Sequence, residues 1–145
     1  MKTFADLESA TNDFFRLHWP AAESFGSPPT WVSWDQFLRG SVPNYTRGGC
    51  YALFENERLA YIGKGVGIGN KSTPQHGISR RLSSHVICVA GYTEKKGQHL
   101  SKLRGGWENV TAISTVGFLA STEYIAHSLE NFLIRQLQPP RNRHL

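Results

Sequence analysis

The chain has 145 residues, enough for one compact domain and short for two. Hydrophobic residues make up 39% and charged residues 19%, which excludes a disordered chain, and eight Phe with four Trp supply large core side chains. A net charge of +5 favours polyanionic partners without identifying one.

In chain order, residues 3–17 are expected to form a first helix, because Leu7, Ala10, Phe14 and Leu17 recur at three- and four-residue steps. His18-Trp19-Pro20 stops it, since proline disfavours helix in the residue before it. Residues 20–33, rich in Ala, Ser, Gly and Pro, read as an ordered surface segment. Residues 34–38 read as a short helix ended by Gly40. Residues 50–54 and 59–63 are two strand-like runs around the polar turn Glu55-Asn56-Glu57-Arg58, a hairpin signature. A glycine-rich stretch from Gly65 to Gly77 follows, then a helix from Ile78 to about Cys88. Residues 91–107 are polar and basic and suggest no element. Residues 110–118 are a β-branched third strand. Ser121 or Thr122 is expected to cap a last helix that runs to about Leu137, where Pro139-Pro140 ends it.

This order implies an α+β fold: a small three-stranded, mainly antiparallel sheet flanked by helices. Residues 1–47 form an N-terminal helical extension packed on a core of residues 48–145. The N-terminal residues carry early acids and no long apolar run, so neither a signal peptide nor a membrane anchor is expected. Cys50 and Cys88 lack paired-ligand spacing and read as reduced residues of a cytoplasmic protein.

Several residues have the right chemistry for a polyanion site. Glu130 has Ala126, Leu133 and Ile134 among its helical neighbours, so its carboxylate stands at the margin of a buried face. Such a group is costly unless paired, bound to a cation or extended into water. Arg81 and His85 are four apart on the middle helix and can line a cleft floor, with Arg80 pointing nearly opposite into solvent. A guanidinium suits phosphate because it stays charged and donates paired hydrogen bonds. Tyr51 and Tyr61 can sit opposite or diagonal on one face of the hairpin, where tyrosines also serve as plain packing residues.

The flanks of these tyrosines carry a resemblance. Gly49-Cys50-Tyr51, followed by Tyr61-Ile62-Gly63-Lys64, resembles the paired signature of the GIY-YIG nuclease superfamily. Arg81 and His85 on a helix, Glu130 in the last helix and Asn142 within Pro139-Pro140-Arg141-Asn142 follow in the family's order. The pattern spans residues 49 to 142 and looks most like the compact restriction and phage-type endonucleases. It departs from the family at Cys50, which stands where isoleucine is usual and can pack as a small apolar residue. The glycines of Gly65-Val66-Gly67-Ile68-Gly69 have neither dinucleotide-binding nor P-loop spacing, so that stretch reads as a substrate loop.

The resemblance implies a metal-dependent endonuclease. Glu130 would hold one divalent ion, Mg²⁺ or Mn²⁺, and Tyr51 would serve as base or orient the attacking water. Tyr61 would contact the phosphate or the water, and Arg81 would offset charge on the phosphoryl oxygens. His85 would assist proton transfer, and Asn142 would position the Glu130 end of the site or the DNA backbone. Lys64, Arg80 and Arg141 would bind substrate. The implied partner is DNA, with RNA left open, as are a homodimer and an inhibitor or immunity protein. A tyrosine is a weak base at its ordinary pKa of about 10 and would need nearby cations to favour the phenolate. The alternative is a nucleic-acid-binding module on the same scaffold that has lost catalysis.

Overall fold

The computed structural model describes residues 1–67, 77–93 and 98–142. Most of the glycine-rich stretch, Lys95, Lys96 and Arg143 lie outside the described residues. The chain is α+β, with helices α1 (Phe4–His18), α2 (Ile78–His85) and α3 (Ile125–Leu137). Strands β1 (Val32–Ser33), β2 (Gly48–Glu55), β3 (Arg58–Gly65) and β6 (Ala112–Phe118) form an antiparallel sheet in the order β1-β6-β2-β3. The other two strands, β4 (Ile87–Thr93) and β5 (Gln98–Leu103), pair with each other in a separate two-stranded sheet.

Helix α1 begins where expected because Thr3 and Asp6 build a reciprocal capping box. Its residues Leu7, Ala10, Phe14 and Phe15 pack in one buried cluster with Leu129 and Leu133 of α3 and with Cys50, Ala52, Ile62 and Val116 of the sheet. The opposite sheet face holds a second cluster, in which Tyr51, Leu53 and Ile113 meet Ile78 and Leu82 of α2 together with Trp34, Val42 and Ile87. The alternation of strand side chains sends even-numbered residues of β2 to the α1–α3 side and odd-numbered ones to the α2 side. The sheet is therefore covered on both faces. Residues 1–47 share the core through α1 and add β1 to the edge of β6.

Five sequence expectations are corrected. The main sheet has four strands where three are expected, because the two-residue strand β1 pairs with the edge of β6 and is too short to show an alternation. Residues 34–38 form turns instead of a helix, because Leu38 has a left-handed backbone (φ 68°) and the Trp34 indole donates to the Arg39 carbonyl. Helix α2 ends at His85, and the β-branched run from Ile87 opens β4. The polar segment after Gly91 contains β5; it pairs away from the main sheet, so it lacks the apolar alternation that marks a core strand. Neither Ser121 nor Thr122 caps α3: residues 121–124 form a turn, and the Thr122 hydroxyl donates back to the Leu119 carbonyl. Among the described residues no helix is long and apolar enough to cross a membrane.

Strand β3 is an edge strand, and the C-terminal tail covers part of its free edge. The Arg141 amide donates to the Ala60 carbonyl at 2.9 Å. Asn142 then copies a strand: its Oδ1 accepts from the Ile62 amide and its Nδ2 donates to the Ile62 carbonyl, both at 2.9 Å. Removing the amide orphans two backbone groups of a residue whose side chain is fully buried. Asn142→Ala is therefore expected to lower unfolding free energy by about 1–3 kcal/mol in a denaturant titration, and an unchanged midpoint would refute the role.

Candidate active site

The β2–β3 register determines where the two tyrosines sit. Tyr51 stands opposite Gly63 and Leu53 opposite Tyr61, so Tyr51 and Tyr61 are diagonal on the α2 face with ring centroids 6.2 Å apart. Gly63 is needed for this: a Cβ there would strike the Tyr51 ring. Gly65 has a parallel role at the next odd position. A Cβ there would collide with the Gly77 carbonyl and the Arg81 Cβ, so its bare backbone lets the start of α2 press against β3. The glycines of the hairpin thus bring a tyrosine and an arginine together.

The same strand delivers a lysine to the other face. Lys64 is opposite Cys50, on the α3 side, and its Nζ donates to Glu130 Oε1 at 3.1 Å. The Glu130 side chain is only 18% exposed, so this pair is partly sheltered from water. Because β3 is the sheet edge, residues from both faces reach one cleft around its end. Tyr51, Tyr61, Lys64, Arg80, Arg81, Ser84 and Glu130 line it, along with Gly65, Val66 and Gly77, and its volume is about 350 Å³.

The remaining expected residues lie elsewhere. His85 is exposed at the end of α2 and does not line the cleft. At roughly 100° per residue, the cleft-facing sector of α2 is Gly77, Arg80, Arg81 and Ser84. Arg81 stands at the side of that sector nearest His85, so Arg80, expected to point away, faces the cleft while exposed. Asn142 acts on the backbone of Ile62 and not at the Glu130 end. Arg141 is occupied internally: its guanidinium pairs with Glu55 at 3.0 Å, donates to the Gly106 carbonyl and lies 4.1 Å from the centroid of the Trp107 ring. Trp107 in turn meets Tyr61 edge to face at 5.2 Å. Sequence reasoning missed Ser84 and Trp107. The α2 phase contained a signal for Ser84, and nothing local marked Trp107.

The Glu123 carboxylate, at the turn before α3, accepts from the Gly67 amide and ties the chain just after β3 to α3. Cys50 is buried and its thiol donates to the Ala126 carbonyl at 3.4 Å; burial, with Glu130 nearby, pushes its pKa well above the ordinary thiol range. Cys50 is thus a packing residue, as its apolar setting suggests.

Burial pushes the Tyr51 phenol well above the ordinary tyrosine value of 10.0, and the neighbouring Tyr61 adds to the shift. Arg81 opposes it by charge and by hydrogen bonding without overcoming it. Tyr51 therefore keeps its proton at neutral pH, contrary to a role as a resting phenolate base.

Comparison with known proteins finds no matching family model, no matching curated protein and no matching solved structure.

A raised folded-state pKa means that the native protein holds a proton which the unfolded chain has lost above pH 10. Between pH 10 and the higher native value, stability should therefore fall as pH rises. Tyr51→Phe is expected to flatten that alkaline loss in chemical-denaturation curves taken across pH 9–11.5, a window about the ordinary tyrosine value. An alkaline slope equal to that of the wild type would show that Tyr51 is not the protonated group.

Proposed function

We propose that the chain is a metal-dependent phosphodiester hydrolase acting on DNA, with the cleft at the end of β3 as its active site. The supporting observation is convergence. Tyr51, Tyr61, Lys64, Arg81 and Glu130, far apart in sequence and drawn from both sheet faces, line one cleft. Packing alone does not call for two arginines, a lysine and a carboxylate around one opening.

The donor set suits a hydrated hard cation. Glu130 offers one carboxylate, and among the described residues no three His, Cys, Asp or Glu side chains form a ligand group. Mg²⁺ is commonly held by one or two carboxylates, with water and substrate oxygens completing its shell. Mn²⁺ fits the same oxygen donors. A bound divalent ion would supply Lewis acidity at a phosphoryl oxygen and would stabilise the leaving group.

The chain's own residues do the rest. Arg80 and Arg81 receive the non-bridging phosphoryl oxygens and offset the charge that builds on them in the transition state. Lys64 balances Glu130 until substrate arrives and then adds a cation beside the phosphate. Tyr51 and Tyr61, held diagonally, orient water for attack in line with the leaving oxygen. With Tyr51 protonated and His85 outside the cleft, these residues position the water and do not hold a resting base, so the proton that the attacking water loses would pass to bulk water.

A second reading has one observation in its favour. The Lys64 ammonium already satisfies the Glu130 carboxylate, as it would in a non-catalytic nucleic-acid-binding module. Two measurements separate the readings. Wild-type protein should nick plasmid DNA only with Mg²⁺ or Mn²⁺, and Glu130→Gln and Arg81→Ala should each lower the rate by about 10²-fold or more. Mg²⁺ at saturating concentration should also raise the melting temperature of the wild type but not of Glu130→Gln. Metal-insensitive melting and equal inactivity in all three proteins would favour the binding module.

A further inference from the structure

Among the described residues the paired strands β4 and β5 have no partner in the main sheet, yet they are firmly rooted. At their base, opposing Ile87 and Leu103 pack into the α2-side core. Arg104 fastens that base to α2: its Nε donates to the Ile87 carbonyl at 2.9 Å and its guanidinium to the Ser83 carbonyl. Along the free edge of β5, Arg39 forms a bridge with Leu100, and the Ser101 amide donates to the Leu38 carbonyl at 2.9 Å. The ribbon then leaves the core. Val89, two residues beyond Ile87, is already 67% exposed.

The ribbon's position relative to the cleft suggests a use. Ser84 lines the cleft and Ile87 opens β4 only three residues later. From Arg81 to the ribbon is on the order of 10 Å at 1.5 Å per helical residue. A phosphate held by Arg80 and Arg81 would therefore bring the groove beside it up to the ribbon. Seven-residue β4 extends roughly 20 Å at about 3.3 Å per residue. The B-DNA major groove, about 12 Å wide, admits a two-stranded ribbon and shows a distinct donor and acceptor pattern for each base pair, whereas the minor groove is about 6 Å wide. Exposed Lys102 and Arg39 put cations on the ribbon and its braced edge. Both side chains can donate to guanine N7 and O6 or to phosphate.

We infer that the β4–β5 ribbon enters the major groove of duplex DNA next to the scissile phosphate and acts as the groove-reading element of this chain. This rests on the hydrolase reading above and adds a substrate geometry to it. A-form RNA has a deep, narrow major groove that does not admit the ribbon, so duplex DNA should be preferred over duplex RNA of the same sequence.

Dimethyl sulfate footprinting of a labelled duplex, with Kd values from fluorescence anisotropy at several salt concentrations, tests this in the intact 145-residue chain without added metal. Wild type should protect guanine N7 atoms near the bound site and bind duplex DNA at least about tenfold more tightly than duplex RNA. The double variant Arg39→Ala, Lys102→Ala should lose that protection and about tenfold in DNA affinity; Lys102→Glu should lose more. With Mg²⁺ supplied, hydrolysis of bis(4-nitrophenyl) phosphate, which has no groove, by the double variant should match wild type. Absent N7 protection in the wild type, unchanged protection in the variants, or equal RNA affinity would overturn the ribbon's role. Failure of the hydrolase reading is separately visible, as protection and binding without turnover of either substrate.

Discussion

The candidate site depends on one strand register. Pairing Tyr51 with Gly63 and Cys50 with Lys64 sets the two faces of β3 in phase with those of β2. A slip of β3 by one residue would exchange its faces, sending Lys64 toward α2 and Tyr61 toward α3 while Tyr51 on β2 stays in place. The register is held from both sides. On the inner side β2 pairs with β3 along its length, and on the outer side Arg141 and Asn142 bond to Ala60 and Ile62. The tail thus acts on the site through the strand and not by touching the cleft.

Because β3 is an edge, its alternation serves the site as well as the core. A central strand keeps its two faces apart, whereas around the end of an edge strand they can meet. Tyr51, Tyr61 and Arg81 come from one side and Lys64 with Glu130 from the other. The cost is electrostatic: a carboxylate only 18% exposed needs a counter-charge, and Lys64 provides it. That pairing also explains how Glu130 can lie beside the apolar row of α3 without an uncompensated buried charge.

How much was legible in the sequence varied with how local the cause was. The tyrosine pair was legible because period-two alternation and a short turn fix a diagonal within ten residues. Glu130 was legible because three- and four-residue spacing shows which helix side is apolar. The apolar side of α2 is legible, since Ile78, Leu82 and Val86 are all buried, but the cleft lies on the opposite side of the helix, so Arg80 lines it and His85 does not. Arg141 is expected to bind substrate, but its guanidinium is taken up by Glu55, Gly106 and Trp107, brought together only by the path of the tail. The ribbon is not legible because it leaves the core beyond Ile87, with Val89 already exposed, so burial imposes no apolar alternation along it.

In the proposed site Glu130, through its metal ion, and the two arginines serve a single phosphate. Mn²⁺ electron–nuclear double resonance of the protein with an uncleavable duplex tests it directly. The account predicts a ³¹P coupling in the wild type that disappears in Glu130→Gln and weakens in Arg80→Ala and Arg81→Ala. Bound Mn²⁺ without a phosphorus coupling, or a coupling indifferent to Glu130, would contradict it.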